Sequence, residues 1–335
     1  MVSHSTSNIS SGNKASDKPL SDAGLSVSFA VRSDVGCERD TNEDRCLVFK
    51  AQAGHGFFVF DGMGGELGGA AAAEISAQAI EAFFAHTNAS SDCALMEQAI
   101  SLAHSNVKNL RKTSKMKSMG TTTVGAIISH DGVCIGSVGD SRAYRISTES
   151  IQQLTHDHTV VQTMVDRGEI AFEDAMVHPY SHVLTRCLGS EDGFGIDSLY
   201  FFIDRSHEAR GDKLLLCSDG LYSLVSEDEL KELVSVNTPE IAADKLIALA
   251  RERGGFDNIS AIVIDIGGVL CTEIPTEVLP EEAPEFSEAS AITESSSTAK
   301  KSSYNRGLIR SFVLFLLVAG CFAVLSMGAV LFLRR

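Results

Sequence analysis

Four aspartates in this chain occupy one kind of place: Asp61 in VFDGMGG, Asp140 in SVGDSRAY, Asp219 in LLLCSDGL and Asp257 in GGFDNIS. In the first three an apolar run leads into the Asp, and in the fourth the Asp precedes its run. Any one of them is an ordinary turn, because Asp-Gly and Asp-Asn are common turn formers. Four together, with the acidic pair Glu43 and Asp44, make a set of carboxylates that strand ends can bring to one edge of a sheet. Hard oxygen donors with no His or Cys cluster beside them suit Mg2+ or Mn2+ and not zinc.

The charge balance points the same way. Acidic residues number 44 against 28 basic ones, for a net charge of −16. No Lys/Arg run tracks a nucleic-acid backbone, so nucleic acid is not an expected partner. An excess of carboxylates repels phosphorylated ligands unless bound cations reverse the local field. Solubility alone explains most acidic proteins, so charge supports the metal reading without making it.

The elements that must carry these residues lie between 26 and 267. FFVF (57–60) reads as a buried strand, 68–86 as an Ala-rich helix and 92–112 as a second helix with apolar positions at helical spacing. TTVGAIIS, GVCIGSVG, AYRIS and IQQL are four short strand-like segments broken by Gly, Asp and Ser, the pattern of an antiparallel meander. KLLLCS reads as a strand, Ser226 with Glu229 as a capping box, Thr238-Pro239 as a helix start, and ISAIVIDI as the last strand.

The ordered series RDTNED, VFDGMGG, GTT, VGDSRAY, LTHDHT, LTRCLG, LCSDGL and DNIS resembles the type 2C metal-dependent protein phosphatases, in particular bacterial ones. The resemblance covers about residues 26–266. It implies an α+β fold, a four-layer α-β-β-α sandwich with two central antiparallel sheets and metals in a cleft at one end. It implies a protein Ser/Thr phosphatase with two Mn2+ or Mg2+ ions, and a third in bacterial members. Asp61 would bridge two metals, the Gly62 carbonyl would serve the site, and Asp219 and Asp257 would complete the second metal's set. Glu43 would act through water, Asp44 would orient those waters, and Asp140 would hold the third ion. Two such cations activate a shared water for in-line attack on phosphorus, so no phosphoenzyme is required. Arg39 falls where the family holds the substrate phosphate, and its guanidinium fork suits two phosphate oxygens. GTT (120–122) supplies small residues for packing behind the cleft.

Met63 departs from eukaryotic relatives that have His there for the leaving group. A thioether donates no proton, so the general acid is left unassigned. His156, His158, His178 and His182 fall in one stretch, 155–189, and their HxH and HxxxH spacing offers zinc as an alternative to the flap that the family implies. In that flap Asp157 and His158 would be structural.

Outside the catalytic stretch, residues 1–25 read as a disordered tail and 268–306 as an acidic Pro/Ser/Thr-rich tether. Residues 307–335 read as a membrane anchor. Within them 311–333 carry no charge and, as a helix, would span roughly 35 Å. Lys300, Lys301, Arg306 and Arg310 before it outweigh Arg334 and Arg335 after it, which places the catalytic domain on the cytoplasmic face of the cell's inner membrane. The cysteines (37, 46, 93, 134, 187, 217, 271 and 321) contain no CxxC pair and read as reduced thiols. The expected partners are phosphorylated proteins and a cognate Ser/Thr kinase. The competing reading is a catalytically silent phosphoprotein-binding scaffold, the usual product of losing a metal carboxylate, and here all the expected ones are present.

Overall fold

The computed structural model describes residues 7–9, 20–22, 25–65, 68–87, 93–114, 116, 118–130, 132–175, 177–204 and 211–271. The chain divides into two units, 1–277 and 278–335. Only the first holds described residues, so the expected anchor at 307–335 lies outside them, as does nearly all of the tether. Among the described residues no helix is long and apolar enough to cross a membrane.

In chain order the first half contains β1 (Ser7–Ile9), β2 (Leu20–Asp22), β3 (Leu25–Asp34), β4 (Arg45–Ala51), β5 (Gly54–Phe60), β6 (Gly62–Met63), α1 (Gly68–Ala85), α2 (Cys93–Thr113) and β7 (Gly120–Thr121). Then follow β8 (Thr123–Ile128), β9 (Gly132–Val138), β10 (Arg142–Ile146), β11 (Ile151–Gln153), α3 (Val160–Asp166), α4 (Phe172–Ala175) and β12 (Asp197–Asp204). The last are β13 (Lys213–Cys217), α5 (Asp219–Tyr222), α6 (Glu227–Val236), α7 (Pro239–Glu252), β14 (Ile259–Asp265) and β15 (Val269–Cys271). One sheet has the order β1-β4-β5-β8-β9-β12-β15 and the other β11-β10-β13-β14-β3-β2, with β6 and β7 as a separate pair.

The apolar runs are continuous because each sheet is covered on both faces. Along β5, Phe57 and Val59 enter the core between the sheets, while Phe58 and Phe60 enter the core under α1 and α2. Along β13, Leu214 and Leu216 face the other sheet, and Leu215 and Cys217 face α5, α6 and α7. The result is the expected layer order of helices, sheet, sheet and helices. A slip of one residue would exchange the two sets, and each fully buried Phe or Leu is worth about 1.5–3 kcal/mol, so the register is firmly held.

Three expectations need correction. The four strands read as one meander split between the sheets: β8 pairs with β9 in the first, and β10 with β11 in the second. The chain changes sheets at Gly139, whose φ of +105° favours glycine and where a Cβ would lie 2.6 Å from the Thr122 Cβ. Reduced thiols throughout do not hold either, because Cys93 and Cys134, with Cα atoms 5.6 Å apart, form a disulfide from α2 to β9. Their separation of 41 residues hides a proximity that only the packing of α2 on the sheet creates. Finally, the stretch read as a tail contains β1 and β2, which add to sheet edges at β4 and β3. Edge pairing uses backbone groups and so leaves no hydrophobic pattern to read.

Candidate active site

Four chain crossings bring the carboxylates together at one end of the sandwich. Asp61 follows β5, Asp140 lies in the crossover from β9 to β10, Asp219 opens α5 after β13, and Asp257 precedes β14. They line one cavity of about 970 Å³, with Glu43, Arg39, the Gly62–Gly65 loop and Asn258. Asp44 stands behind the wall, 2% exposed.

Backbone anchors hold each ligand candidate. The Asp61 N–H donates to Thr122 Oγ1 at 3.1 Å, and the Asp61 carbonyl accepts from Thr121 Oγ1 at 2.8 Å and from the Thr122 N–H at 2.9 Å. GTT therefore does more than pack, since its two hydroxyls fix the peptide of the central aspartate. Gly62 is required by close approach, because a Cβ there would lie 2.4 Å from the Gly69 carbonyl oxygen and 2.6 Å from that of Glu43. Asn258 ties three segments together: Oδ1 accepts the Glu43 N–H at 2.8 Å, and Nδ2 donates to the carbonyls of Val35 and Thr41 at 2.9 and 3.0 Å. Buried Ser218 donates to Asp44 Oδ2 at 2.8 Å and accepts the Ser260 N–H at 3.0 Å. Of these anchors, Thr121, Thr122, Ser218 and Asn258 were not assigned such roles from sequence. Ser218 and Asn258 each adjoin an acidic motif, which is the signal that was available, whereas Thr121 and Thr122 reach Asp61 only through the fold.

The electrostatics are those of an acid cluster short of positive charge. Burial, reinforced by Asp44, Asp219 and Asp140, holds the Asp61 carboxyl well above the usual carboxylate range. Burial and then Asp219 do the same to Asp140. Asp44 is pushed up to about 7, mainly by burial, against the opposing hydrogen bonds from Ser260 and Ser218. Glu43 is raised by burial while Arg39 pulls it down. Two side chains lean in: Arg39 Nη2 bonds Asp257 Oδ2 at 2.8 Å, and His182 Nδ1 lies 3.5 Å from Asp219 Oδ2. Asp257 raises the Arg39 pKa further, and the hydrogen bond that His182 makes to Asp219 raises that of His182.

Among the described residues, no group of three or more His, Cys, Asp or Glu is arranged as it stands to hold a metal ion. The donor set nevertheless fits one. Glu43 Oε1 and Asp219 Oδ1 are buried without a hydrogen-bond partner, so two acceptors of the hard-oxygen type are left for a cation. The four histidines of 155–189 do not converge. His156 pairs with Asp166, His158 with Asp197, His178 lies tilted against the Tyr180 ring, and His182 reaches Asp219. Asp157 is buried against Arg142, as a structural role requires. Met63 lines the cavity and offers no proton.

A fold of two covered antiparallel sheets with this acid cluster at one end defines a class. The family model described as Protein phosphatase 2C matches residues 38–249, and the chain belongs to that family of metal-dependent protein serine/threonine phosphatases. It is 36% identical over 241 residues to the serine/threonine phosphatase stp of Listeria monocytogenes, a match covering 70% of this chain and 94% of that one. It is 33% identical over 251 residues to the serine/threonine protein phosphatase PstP of Mycobacterium tuberculosis, covering 72% of this chain and 45% of that one. The crystal structure of the Mycobacterium tuberculosis phosphatase PstP/Ppp aligns with a TM-score of 0.64 at 30% identity, covering 72% and 98% of the two chains. The PstP catalytic domain solved with 2 manganese ions aligns with a TM-score of 0.63 at 29% identity, covering 71% and 97%.

Proposed function

We infer that this phosphatase removes phosphate from phosphoserine and phosphothreonine on proteins, at a centre of two Mn2+ or Mg2+ ions held by Asp61, the Gly62 carbonyl, Asp219 and Asp257. The observation that carries this reading is the pair of buried, unpartnered oxygens, Glu43 Oε1 and Asp219 Oδ1, in a cluster of carboxyls that burial and mutual repulsion keep hard to ionise. When bound, such ions lower the pKa of a shared water and neutralise charge on the phosphoryl oxygens.

The chain's own residues do the rest. Thr121 and Thr122 hold the Asp61 peptide so that its carboxylate keeps one position. Glu43 and Asp44 act through water, with Asp44 oriented by Ser218, and Asp140 serves a third ion. Arg39 lines the cavity and is anchored to Asp257 through Nη2, and its remaining N–H groups would donate to phosphate oxygens.

The sequence at 311–333 further supports a single membrane span with the catalytic unit on the cytoplasmic face of the inner membrane, opposite a Ser/Thr kinase that supplies its phosphoproteins. Hydrolysis of a phosphothreonine peptide by the full chain in detergent, with Mn2+ and with chelator, tests the chemistry. Activity that needs Mn2+ supports it, and inactivity under every metal condition favours the silent scaffold. A reporter fused after Arg335 tests the topology, and its recovery on the same side as the catalytic unit refutes the single span.

A further inference from the structure

The densest buried polar network outside the cavity lies directly behind Asp140. Arg142, 8% exposed, donates from Nε and Nη2 to the Asp157 carboxylate at 2.6–3.0 Å and from Nη1 to the Tyr144 hydroxyl at 2.9 Å. Asp157 accepts a further bond from Gln153 Nε2 at 2.9 Å. The guanidinium is thereby fixed, and its carbon lies 3.8 Å from the centroid of the Tyr222 ring, within the range where a cation is drawn to an aromatic face. At the far end of that ring, the Tyr222 hydroxyl donates to the backbone carbonyl of Asp140 at 3.0 Å.

Tyr222 is the last residue of α5, the helix that Asp219 opens. One side chain therefore joins the crossover bearing Asp140 to the turn bearing Asp219. The neighbours of Asp140 are held from elsewhere: His158 Nδ1 accepts the Gly139 N–H at 3.1 Å, and Ser141 Oγ shares a hydrogen bond of 2.7 Å with Thr122 Oγ1. Only the Tyr222 contact comes from an element that itself carries a candidate ligand. Because it takes the Asp140 carbonyl, it leaves the carboxylate free.

We propose that Tyr222 is a positioning residue whose hydroxyl sets the spacing between Asp140 and Asp219, so that their carboxylates face one cation. This rests on the reading of Asp140 as a cation ligand and adds what holds it in place. The anchored Arg142 fixes the ring, the ring fixes the hydroxyl, and the hydroxyl fixes the crossover next to its one positive-φ glycine.

Calorimetric titration of Mn2+ into the full chain in detergent micelles tests this with Tyr222→Phe, Asp140→Asn and the double variant. Tyr222→Phe keeps the ring on Arg142 and removes only the hydroxyl. It is expected to weaken the weakest Mn2+ step about five- to tenfold, the scale of one hydrogen bond, and to leave the tighter steps unchanged. Asp140→Asn is expected to abolish that step, and Tyr222→Phe to add nothing in its background. If Asp140→Asn loses the step and Tyr222→Phe matches wild type, the positioning role is wrong and the cation reading stands. If Asp140→Asn keeps the step, both fall. Equal weakening of every step by Tyr222→Phe also overturns the proposal, because the hydroxyl would then not act through Asp140.

Discussion

Two buried charged clusters sit side by side in this molecule and are built on opposite plans. Around Arg142 the charges are balanced inside the protein: the guanidinium has the Asp157 carboxylate, the Tyr144 hydroxyl and the Tyr222 ring, and Asp157 has Gln153 besides. Around Asp61 they are not: Asp44, Asp140 and Asp219 all act on Asp61, with Arg39 and His182 at the rim on Asp257 and Asp219. Buried like charges without partners are costly, so without a cation the carboxyls of the second cluster resist ionisation, and their pKa values are raised. The first cluster is completed by folding, while the second keeps two buried acceptor oxygens, Glu43 Oε1 and Asp219 Oδ1, without a partner.

The largest expected effect separates the two plans at once. Asp61→Asn should cut phosphopeptide hydrolysis by at least about a thousandfold, roughly 4 kcal/mol of barrier, since the central ligand is lost. In chelator the same variant should melt at a higher temperature than wild type, because it removes a charge that burial and neighbours disfavour. A lower melting temperature in chelator would mean that the acid cluster is not self-opposed, and the contrast would break. Asp157→Ala should do the reverse. It leaves Arg142 charged, buried and without its carboxylate, at a cost of about 3–5 kcal/mol in denaturant unfolding, whether or not Mn2+ is present.

These two clusters also mark the limit of what the sequence carries. Asp61, Asp140, Asp219 and Asp257 could be found because each ends or begins an apolar run, and strand ends can meet at one edge of a sheet. FFVF and the LLLC of β13 are apolar at every position, which calls for cover on both faces, but the four-layer order was an expectation from the family resemblance. The split of the four-strand stretch was not, because its turns look alike in sequence and only Gly139 bears the conformation that moves the chain to the other sheet. The Arg142 network joins residues up to 80 positions apart, from Arg142 to Tyr222, with ordinary residue types and no periodicity. The phosphate-binding role of Arg39 is an expectation from the family resemblance, whereas its bond to Asp257 has no signal in sequence, since no local pattern links the two.

Titration sharpens the comparison further. Asp44 has a folded pKa of about 7 against 3.8 when free, so its share of stability is complete below 3.8 and is lost as pH rises through 7. Asp61 and Asp140, also raised, act in the same direction. His158 and His104 are lowered from 6.5, chiefly by burial, so their share is complete above 6.5 and is lost as pH falls below it. Thermal unfolding in chelator should therefore show one loss as pH rises, from the acid cluster, and another as pH falls below 6.5, from the histidines. Saturating Mn2+ should suppress the first and leave the second. Suppression of both, or of neither, would show that the metal does not act through the carboxylates.

The smallest expected effect comes from Ser218, which stands at the back of the acid cluster. Its hydroxyl donates to Asp44 Oδ2 and accepts the Ser260 N–H, and Ser218 and Ser260 are both fully buried. Ser218→Ala leaves the Ser260 amide without that acceptor and Asp44 without one of its donors, a cost of about 1–3 kcal/mol if the groups stay where they are. Because the lost donor favoured the ionised carboxylate, the Asp44 pKa must rise further. The loss with rising pH in chelator should then extend to higher pH than in wild type, with a lower plateau of stability, while the loss from the histidines on acidification keeps its place. The same variant should need more Mn2+ to reach full activity, since Asp44 must ionise to orient water around the ions. If Ser218→Ala lowers stability equally at every pH and leaves the Mn2+ requirement unchanged, the hydroxyl belongs to the packing of β13 on β14 and not to the acid cluster.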